Sequence, residues 1–231
     1  MHRSSHGKTF LNKERASQLL SELKKLVPDA RMILNFSTPW ECLVAVQLSA
    51  QCTDMQVNRV TAKLFKKYRT LEDYVYAKPE DFEKDIFSTG FYKNKTKNIL
   101  AAARVIHEDF GGRVPSTMCE ILTVPGVARK TANVVLGNCY GVVEGIAVDT
   151  HVKRLTHRFG LTKARDPNKI EKDLMGLFPQ KEWFSLTYYL IEYGRRYCTA
   201  RTSDHSNCPL RQFESKSQYP ISKSQINNNF Q

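Results

Sequence analysis

Apolar residues recur along this chain at three- and four-residue intervals, and alternation is rare; the pattern predicts helices rather than strands. Leu19, Leu20, Leu23 and Leu26 share one helical face with polar residues between them, and Pro28 ends the run. Thr38-Pro39-Trp40-Glu41 reads as a capping box with proline at the first helical position, opening a buried helix through Leu48. Thr53 with Gln56 starts another, whose inward stripe is Val57, Val60, Leu64, Phe65 and Tyr68. Asn94 to Phe110 is a strong helix stopped by Gly111-Gly112. Thr117 with Glu120 caps a short helix ending near Leu122, and Arg129 to Leu136 follows after a turn. Asp149 precedes a helix from Thr150 to Phe159 that stops at Gly160. Asp166-Pro167 opens Asn168 to Phe178, and Glu182 to Tyr197 closes the ordered part.

Val142-Val143 and Ile146-Ala147-Val148 are the best strand candidates, but both are short and flanked by Gly141 and Gly145. The expected fold is therefore all-α, without a repeat at solenoid spacing. Ser215 to Gln231 is rich in Ser, Gln and Asn and reads as a disordered polar tail. The chain lacks a Pro/Gly/Ser-rich linker, so two lobes would have to pack intimately.

Composition narrows the partner. In 231 residues, 35 Lys and Arg stand against 23 Asp and Glu, a net charge of +12. Such a surplus suits a polyanion, although a basic surface also serves solubility alone. The longest apolar stretches, Cys42 to Leu48 and Ile99 to Ala103, are far too short to span a bilayer. Met1 to Phe10 lacks the apolar core of a signal peptide. The six cysteines, Cys42, Cys52, Cys119, Cys139, Cys198 and Cys208, are thinly spread, and four sit in apolar, helix-like runs. That usage suits reduced thiols in a cytoplasm better than a disulfide scaffold.

The most informative segment runs from Ile121 through Pro125-Gly126 to Ala132. A short helix meets a tight Pro-Gly turn and a second helix starts at once. Gly126 lets the backbone approach another molecule closely, and the free N–H groups opening the second helix can meet a phosphate. Leu122, Val124 and Val127 would pack underneath. A bare Pro-Gly corner is common in any helical core, but Arg129-Lys130-Thr131 directly after the turn favours a grip on a nucleic-acid backbone.

Two ionisable residues stand out. Lys130 sits in the first turn of its helix, where the dipole and partial burial both disfavour an ammonium. An ordinary lysine is neutral in roughly one molecule in a thousand near pH 7.4. Lowering its pKa by about 2–3 costs roughly 3–4 kcal/mol and frees a nucleophile. From position alone, phosphate binding or solvent exposure remains the commoner role. Asp149 is placed to cap the helix through Phe159, and capping alone would account for it.

The run Leu122 to Ala132 resembles the helix-hairpin-helix element of the endonuclease III group of DNA glycosylases, and Ala147-Val148-Asp149-Thr150-His151-Val152 resembles its catalytic aspartate segment. Leu48-Ser49-Ala50-Gln51-Cys52-Thr53-Asp54, Gly90-Phe91-Tyr92-Lys93-Asn94-Lys95 and Gly112-Arg113-Val114-Pro115 agree in order and spacing, so the similarity runs from about Leu11 to Cys198. The resemblance implies a bifunctional glycosylase and abasic-site lyase in base excision repair, acting on oxidised pyrimidines in duplex DNA. It implies Lys130 as the Schiff-base nucleophile and Asp149 as its assistant. DNA contacts are expected from Gln51, Phe91, Val124, Gly126, Ala128, Arg129 and Thr131. Gln51 would fill the gap left by the extruded nucleotide and Phe91 would act as a wedge; a helix-end polar residue and a core aromatic are the plainer alternatives. His151, in a first helical turn, reads as structural and stays outside the catalytic set.

The sequence departs from the family twice. Where many relatives carry four cysteines for an iron–sulfur cluster, this chain has Cys198, His205, Cys208 and Glu214, a poor thiolate set. Zinc is conceivable from these ligand types, but their spacing fits no common finger. No cofactor or metal is therefore expected. Ala128 stands where the hairpin usually has a second glycine, which is harmless unless that position needs a positive φ.

The resulting expectation is two interleaved helical lobes with a DNA-binding cleft between them. One is a bundle over 33–143 ending in the hairpin; the other combines 1–32 with 144–214 and carries Asp149, with 215–231 as tail. The expected partner is damaged double-stranded DNA, with no membrane, and the protein is expected to be monomeric and cytoplasmic, nucleoid-associated in a bacterium or archaeon, or nuclear in a eukaryote. The rival readings are a monofunctional glycosylase that uses water, and a non-catalytic helix-hairpin-helix module.

Overall fold

Short polar side chains decide where most helices begin. In the computed structural model, which describes residues 6–201 and 205–215 with side chains from residue 13 onward, the helices are α1 (His6–Leu26), α2 (Pro39–Leu48), α3 (Asp54–Lys67), α4 (Leu71–Val75), α5 (Pro79–Ile86), α6 (Tyr92–Asp109), α7 (Met118–Ile121), α8 (Arg129–Tyr140), α9 (Thr150–Arg158), α10 (Pro167–Leu177) and α11 (Gln180–Arg196), with 3-10 turns at Phe87–Thr89 and Arg211–Phe213. Thr38, Thr53, Thr70, Thr117, Asp149 and Asp166 each accept a first-turn backbone N–H. The box expected at Thr38 is shifted by one residue: the Glu41 carboxylate accepts from the Ser37 N–H. The full reciprocal box belongs to Thr70 and Asp73.

Helices α4 and α5 are missing from the periodicity reading, because each is too short to show a repeat and buries only a pair of side chains. Helix α8 runs past Leu136, through Gly137, to a left-handed cap at Gly141. Neither strand candidate is a strand, and none occurs among the described residues. The carbonyls at these positions find partners on α11 instead: Gln180 donates to Val143 O at 3.1 Å and Thr187 to Ala147 O at 3.0 Å. Of the expected tail, 216–231 lies outside the described residues; the Ser215 N–H donates to Arg158 O at 2.9 Å.

Buried apolar side chains form two clusters. One is built from α2 to α8 and includes Leu43, Leu64, Tyr74, Phe82, Ile99 and Leu136. The other takes Leu19 and Leu23 of α1 together with Leu155, Ile170, Leu174, Leu186 and Tyr193 from α9 to α11. The connecting segment Ile146-Ala147-Val148 alternates between them: Ile146 and Val148 enter the second cluster and Ala147 the first. Successive side chains lie on opposite sides, so one short segment serves both.

Where α8 meets α10, the nearly fully buried Glu171 (3% exposed) accepts from Arg129 Nε at 2.6 Å and Asn133 Nδ2 at 2.8 Å. Its carboxylate lies against Gly145, and a Cβ there would overlap it. Gly137 likewise admits the Phe184 ring from α11, two of whose atoms stand 2.5 Å from where a Cβ would be. We expect Gly145→Ala to push the carboxylate off its donors and cost about 2–4 kcal/mol, read as a lower midpoint in urea unfolding; an unchanged midpoint would refute this account of the junction.

Candidate active site

The two clusters leave between them a cleft of about 1430 Å³. Its walls include Gln51, Phe91, Gly126, Lys130 and Thr131 from one side and Asp149, His151 and Tyr188 from the other.

The hairpin supplies the first wall. Helix α7 ends at Ile121, and Ile121, Val124 and Val127 are buried below the turn. Leu122, expected underneath, is 39% exposed, because as the residue that ends α7 it points away while Ile121 takes the inward place. Gly126 has φ +75°, and a Cβ there would stand 2.8 Å from Asn98 Cβ and 3.2 Å from Gln47 Nε2. Gln47 in turn donates to Pro125 O at 3.1 Å, tying α2 to the turn. Ala128 has φ −97° and ψ 169°, ordinary extended backbone, so the missing second glycine leaves no strain. Helix α8 has no side-chain cap, so its leading N–H groups are not satisfied by one.

Lys130 lies half-buried in that uncapped first turn. Burial pushes its amine below the ordinary lysine range, opposed by the carboxylates of Asp149 and Asp54. Asp149 faces the same cleft as the N-cap of α9, with Oδ1 accepting from Val152 N–H at 2.8 Å and Oδ2 lying 3.3 Å from His151 Nδ1. Burial raises the Asp149 pKa, but hydrogen bonds from His151 and Val152 and the charges of His151 and Lys130 outweigh it, so the carboxyl sits below its usual range. One group is thus biased to neutrality and the other to ionisation, the pairing that nucleophilic catalysis by an amine requires.

A model of the HhH-GPD superfamily of base excision DNA repair proteins matches residues 44–180. The chain belongs to this superfamily. Endonuclease III of Synechocystis sp. is 51% identical over 86% of this chain and 90% of its own length. Endonuclease III of Bacillus subtilis is 44% identical over 87% and 92%, and that of Escherichia coli K12 is 35% identical over 86% and 93%. Among solved structures, a non-covalent endonuclease III–DNA complex superposes with a TM-score of 0.84 at 42% identity, covering 87% of this chain and 94% of that one. A trapped endonuclease III–DNA covalent intermediate, an estranged-adenine complex, gives 0.84 and 42% over 87% and 95%.

Within this endonuclease III relative, the sequence-predicted residues divide by position. Lys130, Asp149, Gln51, Phe91, Gly126 and Thr131 all line the cleft. Val124 is 2% exposed, so it has only backbone to offer a ligand; Ala128 is exposed beside the turn, and the Arg129 guanidinium is engaged by Glu171. Gln51 and Phe91 are the non-glycine residues with positive φ, +53° and +48°, among the described residues. Each such conformation costs of order 1–3 kcal/mol, and Phe91 is 57% exposed rather than a core aromatic. Sequence reasoning missed His151 as a partner of Asp149, Asp54 as a charge acting on Lys130, and Lys95 beneath both strained residues. Asp54 and Lys95 fall inside the family-like stretches, but nothing in sequence tells which way they face.

The four positions matching the family's cluster ligands do not fit an iron–sulfur centre. Burial pushes the Cys198 thiol up; Cys208 Sγ lies 2.6 Å from Tyr193 Oη. Glu214 accepts from Arg158 Nη2 at 2.7 Å, and His205 Nε2 lies 2.6 Å from Arg158 Nη1. Two thiols and an arginine-held carboxylate and imidazole are the wrong donors for such a cluster. Among the described residues, no group of three His, Cys, Asp or Glu could hold a metal ion, and no helix is long and apolar enough to cross a membrane.

Folded Lys130 holds its proton more weakly than the unfolded chain does, so it subtracts stability in full below its folded pKa, and the deficit fades as pH rises to the unfolded value near about 10.4. We therefore expect Lys130→Met to raise the melting temperature by about a few degrees at neutral pH, with a gain that shrinks on approach to about pH 10. A lower melting temperature at neutral pH, or a gain growing with pH, would contradict the assigned burial.

Proposed function

We propose that the protein is a bifunctional DNA glycosylase and abasic-site lyase that removes oxidised pyrimidines from duplex DNA and nicks 3′ of the resulting site. One observation carries the reading: a burial-depressed Lys130 at an uncapped helix N-terminus, sharing a cleft with an ionised, helix-capping Asp149. The two apolar clusters are taken as lobes, 33–143 and 1–32 with 144–214, and duplex DNA as lying across the cleft. The leading N–H groups of α8, with Gly126 and Thr131 beside them, meet a backbone phosphate. Gln51 occupies the gap left by the extruded nucleotide and Phe91 wedges the stack.

The chemistry follows from the two ionisation states. As the glycosidic bond lengthens, its electron pair leaves with the base, and the carboxylate of Asp149 stabilises the positive charge developing on the sugar. The neutral amine of Lys130 forms a bond to C1′. Asp149 accepts the amine proton and returns it to O4′ as the C1′–O4′ bond breaks, so the ring opens to a protonated imine. Removal of a C2′ proton then expels the 3′ phosphate, breaking the strand, and water hydrolyses the imine to release Lys130. The lysine favours this route over direct attack by water, and a paired nucleophile and carboxylate favour turnover over binding alone.

The protein is further proposed to act as a monomer, in the cytoplasm alongside the nucleoid as befits its bacterial relatives, and without an iron–sulfur cluster. Purified protein should contain no stoichiometric iron; a brown preparation with bound iron would overturn that last point. On a duplex carrying an oxidised pyrimidine, borohydride should capture a protein–DNA adduct. Lys130→Gln should abolish both adduct and nick while affinity for undamaged duplex stays within about threefold, and Asp149→Asn should slow turnover about 100-fold or more. Nicking or capture that persists in Lys130→Gln would remove the lysine from the reaction.

A further inference from the structure

Lys95 is the most deeply buried ammonium that this mechanism leaves unused. It is 6% exposed, on the inner face of α6, and borders the cleft. Its Nζ donates to Leu48 O and to Thr89 O, both at 2.8 Å. These two carbonyls belong to different loops. Leu48 is the last residue of α2, three positions before Gln51; Thr89 ends the 3-10 turn, two positions before Phe91. The Lys95 backbone N–H also donates to Phe91 O at 3.1 Å, closing the first turn of α6. One residue thus holds the loop of each strained side chain, and Phe91 from both ends.

The arrangement makes physical sense. Leu48 O lies in the last turn of α2, where carbonyls lack intrahelical donors and the dipole favours a cation. Thr89 is 2% exposed, so its carbonyl has little recourse to water. Burial lowers the Lys95 pKa, an effect tolerable only where carbonyl acceptors surround the charge. Gln51 and Phe91 occupy left-handed backbone that neither favours, and such conformations persist only where neighbouring contacts over-determine them. The Gln51 loop has its own turn bonds, Ala50 N–H to Gln47 O and Cys52 N–H to Ser49 O, but these bonds stay within that loop. Lys95 joins it to the other.

We propose that Lys95 is a positioning residue for duplex invasion, fixing the spacing between Gln51 and Phe91 so that both enter the DNA stack together. The proposal rests on the gap-filling and wedge roles assigned to those residues above. It separates two steps of the reaction. Extrusion from a duplex needs both side chains in register; cleavage at an abasic site in single-stranded DNA has no opposing base and no stack to fill, and depends on Lys130 and Asp149.

The test compares single-turnover rates on a lesion duplex and on a single strand carrying one abasic site. Lys95→Met keeps the length of the side chain and removes its donors. It should slow the duplex reaction at least tenfold and the single-strand reaction less than threefold. Introduced into a Gln51→Ala, Phe91→Ala double variant, it should add less than threefold further loss on duplex, because both side chains it positions are gone. Lys95→Gln, which keeps two N–H donors without the charge, should fall between wild type and Lys95→Met on duplex, and supplies the reading if the methionine variant does not fold. Equal losses on both substrates would mark Lys95 as merely structural and overturn the proposal, as would an undiminished duplex rate in Lys95→Met. If Gln51→Ala and Phe91→Ala themselves keep full duplex activity, the gap-filling reading fails instead, and Lys95 with it. Loss in those two alongside a fully active Lys95→Met removes only Lys95.

Discussion

An ammonium pressed into the positive end of a helix and half-buried in a cleft is held there at an electrostatic cost that nearby carboxylates only partly offset. Lys130 is in that position because the turn before it cannot be rearranged cheaply: Ile121, Val124 and Val127 are sealed into the core, and Gly126 is boxed in by Asn98 and Gln47. The same burial that disfavours its charge favours the neutral amine, the form that the proposed nucleophile needs. In the proposed reaction, stability given up at this one position supplies reactivity, a trade familiar wherever a titratable group is tuned by desolvation.

The proposed reaction needs a carboxylate facing that amine, and Asp149 comes from beside the other apolar cluster. Its place is set by contacts that join the clusters. Glu171 grips Arg129 and Asn133, the residues flanking the Lys130 turn of α8, while resting on Gly145 just upstream of Asp149. Thr187 holds Ala147 O from α11, and Asn138 donates to Tyr188 Oη at 2.6 Å. Burial pushes the Tyr188 hydroxyl up to about 12, so it remains a neutral partner. These are short, directional and largely shielded contacts, suited to fixing an angle between two bodies rather than to adding bulk stability.

Much of the fold could be read from the sequence because helix signals are local. The caps at Thr53, Thr117, Asp149 and Asp166 depend on residues within one turn, and each begins a helix where the pattern places it. The failures are non-local. Val142-Val143 and Ile146-Ala147-Val148 look like strands because β-branched residues suit extended backbone, but a strand also needs a neighbour, and here side chains of α11 take those carbonyls. Leu122 looks like core by hydrophobicity alone, whereas the end of α7 decides which of Ile121 and Leu122 faces inward.

The candidate site shows the same division more sharply. Lys130 and Asp149 stood out in the sequence because helix ends and family-like motifs mark them, and the structure lines one cleft with both. The residues that hold their surroundings did not stand out. Glu171 is an unremarkable glutamate in an amphipathic run, Lys95 one basic residue among several in its stretch, and neither reveals in sequence that a partner lies 38 or 47 residues away. A buried charge is recognisable only once its acceptors are assembled, since burial itself is a property of the fold. Sequence therefore discloses the groups proposed to react, while the groups packed around them become visible only when helices distant along the chain are brought together.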